Sequence, residues 1–136
     1  MRPAEEQARR KIVADWIHKA EADVASAETL LSRDPPLLSP ACFHAQQAAE
    51  KYLKAYLTSR QVESPRTHSI RELLNLAAQI DPDLSSRLTT AAALTVYGVE
   101  IRYPGEAPEP DLEETWKAVE LARAVRDAVL GRLESC

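Results

Sequence analysis

Apolar residues recur every three or four positions along most of the chain. Val13, Trp16, Ile17, Ala20, Val24, Ala27 and Leu31 form the first such stripe. That period matches the turn of an α-helix and predicts one over about residues 5–32. Asp34-Pro35-Pro36 ends it, because proline lacks an N–H and restricts the residue before it. Ser39 and Pro40 have the form of a cap and first helical position, so a second helix is expected to run to about residue 59. A loop containing Pro65 follows. Ser69 and Glu72 have capping-box spacing and open a short third helix over about 70–80. Asp81-Pro82 repeats the cap-then-proline signal. Leu84, Leu88, Ala91, Ala92, Thr95 and Val99 then predict a fourth helix to about residue 102, stopped by Pro104-Gly105. The fifth begins near Pro110, with Asp111, Glu113 and Glu114 at its positive end, and runs to about residue 133.

Long helices with short connections imply an all-α fold, an up-and-down four-helix bundle with the short helix crossing one end. The pattern contains no repeat or second domain. Residues 1–136 read as one domain, with its core over about 12–133 and residues 104–110 as an exposed proline-rich connector.

Composition supports this picture. Three glycines, many alanines and 5% aromatic residues favour helices over sheet. A net charge of -4 argues against global attraction to nucleic acid, although a local basic patch stays open. Cys42 and Cys136 lack metal-ligand spacing and read as reduced thiols. His18, His44 and His68 are scattered without evident acid partners, so neither a metal nor another cofactor is expected. No run reaches the roughly 20 apolar residues of a membrane span. The first residues lack the apolar core of a signal peptide, so the expected location is cytoplasmic.

The second helix carries the candidate chemistry. Cys42, Ala45, Ala49, Tyr52, Leu53, Tyr56 and Leu57 make a broad apolar arc, and Gln46 falls inside it. Phe43, Gln47, Glu50 and Lys54 form the adjoining stripe, with Glu50 four residues before Lys54, the favourable order for a helical ion pair. Read alone, this is a helix with a satisfied buried amide and a surface ion pair. Arg102, Arg126 and Arg123 also fall on inward faces of their helices. A buried arginine needs a partner, and Glu50, Gln46 and Asp23 are the candidates. Such a cluster could hold the register of the bundle or bind a phosphate or a base. His68 reads as a group at the start of the third helix. His44, with Lys51, and His18 read as solvated.

Four blocks in order resemble the HEPN (higher eukaryotes and prokaryotes nucleotide-binding) domain. They are Trp16 with Ala20-Glu21-Ala22-Asp23-Val24; Phe43-His44-Ala45-Gln46-Gln47-Ala48-Ala49-Glu50-Lys51 with Leu53-Lys54-Ala55; Thr67-His68-Ser69-Ile70; and Arg102-Tyr103-Pro104. The resemblance implies a four- or five-helix bundle that commonly dimerises. It also implies a minimal nucleotidyltransferase partner, as half of a toxin–antitoxin-like or substrate-binding pair. Many such domains are metal-independent ribonucleases, with a histidine after four to six residues beyond an arginine. No histidine follows Arg102 here, and Arg60 and Arg10 stand eight residues before His68 and His18. Arginine holds its proton too tightly to replace the histidine as acid or base. The resemblance therefore implies a non-catalytic protein that binds a nucleotide or nucleotidylated substrate, with Gln46, Gln47, Glu50, Lys54, His68, Arg102 and Tyr103 as the matching residues. Two alternatives stay open: an atypical ribonuclease toxin, and a homodimeric interaction module without a ligand.

Overall fold

The computed structural model describes residues 2–98, 104–105 and 108–134. Helix α1 (Pro3–Ser32) begins with proline in its first turn and Glu5 and Glu6 near its positive end. It stops where Arg33 turns extended ahead of Asp34-Pro35. Ala20, Val24, Ala27 and Leu31 of the expected stripe are buried, while Val13, Trp16 and Ile17 are partly exposed.

Helix α2 (Leu38–Ser59) starts one residue before the expected cap. Ser39 is not the cap: Leu37 takes that position, with no side-chain hydrogen bond. Its carbonyl accepts from Ala41 N–H as the first bond of the helix, and its own N–H donates to Leu30 O at 3.0 Å, which ties the start of α2 to the end of α1. Pro40 remains tolerable because first-turn N–H groups have no acceptor within a helix. At the other end Gln61 is left-handed, with φ 62°. Val62 N–H donates to Leu57 O and Gln61 N–H to Thr58 O, closing a Schellman turn. That turn launches the loop that carries His68 back to α2.

Helix α3 (Ile70–Ala78) is capped by Ser69, whose hydroxyl accepts from Glu72 N–H at 3.2 Å. Asp81 caps α4 (Pro82–Arg87) through Leu84 N–H. The long fourth helix expected from the sequence is interrupted. After α4 the chain tightens into a 3-10 helix, Thr89–Tyr97. Leu88, Ala91 and Leu94 are buried and Tyr97 packs on the core. Their spacing of three is the period of a 3-10 helix, whose side chains eclipse every third residue. Thr89 also turns its hydroxyl onto Ser85 O and Ser86 O, which ties up the carbonyls where α4 would continue. Residues 99–102 of the expected helix lie outside the described residues.

Pro104, Gly105, Pro108 and Glu109 of the connector are exposed, but Pro110 is buried. Helix α5 (Leu112–Glu134) begins where the Asp111 side chain accepts from Glu114 N–H at 2.7 Å. Leu112 and Trp116 of this helix are about half exposed, while Thr115, Ala118, Val119, Ala122, Val125 and Val129 are buried. The fold is an all-α bundle. Helix α2 is its axis and packs against α1, α5, α3 and the 3-10 helix. Helices α1 and α5 flank it and touch each other, and α3 and the 3-10 helix pack on it as well, with α4 against both. This central place explains why even Gln46, Glu50 and Lys54 of α2 are buried. Among the described residues no helix is long and apolar enough to cross a membrane.

Candidate functional site

Glu50 is the hub of the polar column on α2. It is only 4% exposed, and Lys54 and Gln46 beside it are also buried. Lys54 Nζ donates to Glu50 Oε2 at 2.9 Å, as the four-residue spacing predicts. Gln46 Nε2 donates to Glu50 Oε1 at 3.2 Å and to the His68 carbonyl at 3.1 Å. Gln47 Nε2 donates to Gln46 Oε1 at 2.7 Å. The His68 ring closes the network, its Nδ1 lying 2.9 Å from Glu50 Oε1. Five of the seven residues selected from the sequence therefore meet in one network. Arg102 and Tyr103 lie outside the described residues.

Burial would push the Glu50 carboxyl up, since a charge is poorly solvated away from water. Hydrogen bonds from His68, Lys54 and Gln46 outweigh that effect and hold it below the ordinary value of 4.5. The carboxylate is thus ionised at neutral pH. Lys54 gains further support from Trp16 of α1, whose ring centroid lies 5.5 Å from Nζ. The network opens to water at one end, where the His68 side chain is 72% exposed.

Local structure delivers His68 to this place. Thr67 Oγ1 accepts from Ser69 N–H, which braces the backbone after the loop. Ile70 N–H donates to Thr95 Oγ1 and ties the start of α3 to the 3-10 helix. Gly98 follows that helix closely against the network. A Cβ there would sit 3.3 Å from Gln46 Cδ and Nε2.

A second polar cluster was not visible in the sequence. His44 and Lys51, expected in solvent, both turn to Asp23 of α1. His44 Nδ1 lies 2.9 Å from Asp23 Oδ1, and Lys51 Nζ donates to Oδ2 at 2.6 Å. Asp23 is 7% exposed. His44 and Lys51 are seven residues apart, two turns of one helix, and that spacing was the available signal. Two of the three histidines therefore do have acid partners.

Arg123 and Arg126 find other partners than expected, while Arg102 lies outside the described residues. Arg123 pairs with Glu28, and Arg126 Nε donates to Asp127 Oδ1 at 2.9 Å. Neither ion pair involves Glu50 or Asp23. A surface groove of about 720 Å³, lined by Arg71, Thr89, Lys117 and Glu120 among others, includes no residue of the Glu50 network.

The HEPN domain family model matches residues 13–133. Among solved structures, the chain is similar to TT1696 from Thermus thermophilus, at 30% identity and a TM-score of 0.71 over 88% of this chain and 96% of that one. It is also similar to ST0689, described as an archaeal HEPN homologue, at 28% identity and a TM-score of 0.70 over the same shares. No curated protein matches the chain.

Proposed function

The chain belongs to the HEPN domain family, and from that membership we propose that it is a binding member rather than a nuclease. It takes a nucleotide, or another phosphate-bearing ligand, at the open end of the Glu50 network. It works beside a minimal nucleotidyltransferase, as one half of a toxin–antitoxin-like pair.

One observation carries this reading. Two amides, a lysine and a histidine are prearranged around a buried carboxylate, and the cluster reaches water at His68. Groups already held in place lose little freedom when they engage a ligand. An ammonium has three N–H donors, and Lys54 directs one of them to Glu50. Arg102 and Tyr103 enter the proposal on the sequence alone. A guanidinium offers two parallel donors to a phosphate, and a tyrosine ring offers a stacking face to a base.

Thermal-shift titration with a panel of nucleotides tests the proposal. A ligand that binds only the native chain stabilises it by about 2.7 kcal/mol at a hundredfold excess over Kd. The shift should disappear in Arg102→Ala. A melting temperature unmoved by every nucleotide would overturn the reading.

The proposal includes a homodimer. Leu112 and Trp116 lie one turn apart on α5 and are 49% and 46% exposed, an apolar pair that a second copy could cover. Sedimentation equilibrium should show a dimer, weakened by Trp116→Ser. A monomer at all accessible concentrations would remove that part.

A further inference from the structure

We propose that His68 is a phosphoacceptor, whose Nε2 takes a phosphoryl group from a small activated donor of the acyl phosphate or phosphoramidate class, with Glu50 as its positioning residue.

The tautomer of His68 follows from its neighbours. An ionised carboxylate can only accept hydrogen bonds. Glu50 accepts from Lys54 and Gln46, and the ring nitrogen facing it at 2.9 Å is Nδ1. Nδ1 must therefore carry the proton. In the neutral ring the lone pair then sits on Nε2. The side chain is 72% exposed, and no hydrogen bond from a described residue occupies Nε2. This is an imidazole held in one tautomer with its nucleophilic nitrogen turned to solvent.

The other two histidines lack this combination. His44 also sets Nδ1 on a carboxylate, but its side chain is only 33% exposed against 72% for His68. His18 is exposed, with no ion pair to a carboxylate among the described residues. Helix α3 begins two residues after His68. A phosphoryl group on the ring would add its negative charge near the positive end of that helix.

The step balances without a redox partner. With phosphoramidate, the Nε2 lone pair attacks phosphorus and forms the N–P bond. The donor's own P–N bond breaks, and its electron pair leaves with ammonia, whose nitrogen already carries its protons in the zwitterionic donor. Positive charge develops on the ring, and the Glu50 carboxylate stabilises it while Nδ1–H stays hydrogen-bonded to it.

The experiment is competition among the three histidines of the folded chain. The protein is incubated with potassium phosphoramidate, and the added phosphoryl mass is located by peptide mapping under alkaline conditions. His68 should be labelled at least about tenfold faster than His18 or His44, the lower end of what an orienting carboxylate contributes to a metal-bound histidine. The label should be acid-labile, and the preference should vanish in urea. His68→Gln, at an exposed position, should remove the label from that peptide. Glu50→Gln should slow labelling of residue 68 while leaving His18 unchanged. Labelling of His18 or His44 as fast as His68 in the folded protein would overturn the proposal, as would a Glu50→Gln variant with undiminished preference. No nucleotide is involved, so the outcome is separate from that of the nucleotide titration.

Discussion

Asp23 and Glu50 each gather one lysine and one histidine, yet the two clusters do different work. Asp23 stands on α1, and both its partners stand on α2 two turns apart. That arrangement joins α1 and α2 across their seam. Glu50 shares α2 with Lys54 and Gln46 and receives its histidine from the loop before α3. The side chains of His44 and Lys51 are 33% and 22% exposed and can turn into water if their acid is lost. Lys54, at 8%, cannot. The same residue types make a brace in one place and, in the other, a buried hub that displays a single reactive ring. The difference is access to solvent.

Glu50→Ala tests that difference most severely. It strands a buried ammonium, and breaking a buried pair this way costs about 3–5 kcal/mol. Asp23→Ala should cost about 1–2 kcal/mol, because its partners can be rehydrated. Urea denaturation of both variants would compare them, and equal losses would erase the distinction.

Acid gives the next effect. The folded-state carboxyl of Glu50 lies below its ordinary value of 4.5. The unfolded state therefore binds a proton first as pH falls. The stability due to this group is complete above 4.5 and is lost as pH drops through the lowered folded value. Asp81, lowered by the Arg132 guanidinium and by Leu84 N–H, acts with the same sign. Denaturation midpoints measured at neutral and acidic pH should converge partly in Glu50→Gln and partly in Asp81→Asn. A Glu50→Gln variant with the full acid sensitivity would show that the hub contributes nothing to it.

A smaller effect should distinguish the surroundings of the two clusters. Gly98→Ala places a methyl group against Gln46. The expected loss is about 1–2 kcal/mol, typical of crowding a packed site. Amide chemical shifts should move around Gln46 and His68 and stay still around Asp23. Smallest of all is Lys51→Met, which should cost less than about 1 kcal/mol in a thermal melt, as part-exposed ion pairs do. A larger loss would place Asp23 with the buried hub.

Much of this was legible residue by residue. The Glu50–Lys54 pair follows from helical spacing, and Ser69 and Asp81 cap helices as their neighbours in sequence suggest, while Asp111, expected only as a charge near the positive end of α5, accepts from Glu114 N–H. The break after Arg87 was less visible. Leu84, Leu88, Ala91 and Thr95 fit an α-helical face, and only the buried run Leu88, Ala91, Leu94 selects the tighter period. Partner choice was harder still. Asp23 and Glu50 were recognisable as acids in search of cations, but two of the arginines suggested for them, Arg123 and Arg126, pair with Glu28 and Asp127.

Local rules act over three or four residues, so the chain alone determines its helices, most of their ends, the bundle class and the polar column of α2. Which face of α1 meets α2, and how far the 61–67 loop reaches, depend on packing among side chains distant in sequence. Those two facts bring Asp23 to His44 and His68 to Glu50: the spacing of His44 and Lys51 puts them on one face of α2, but nothing along the chain says which acid meets that face.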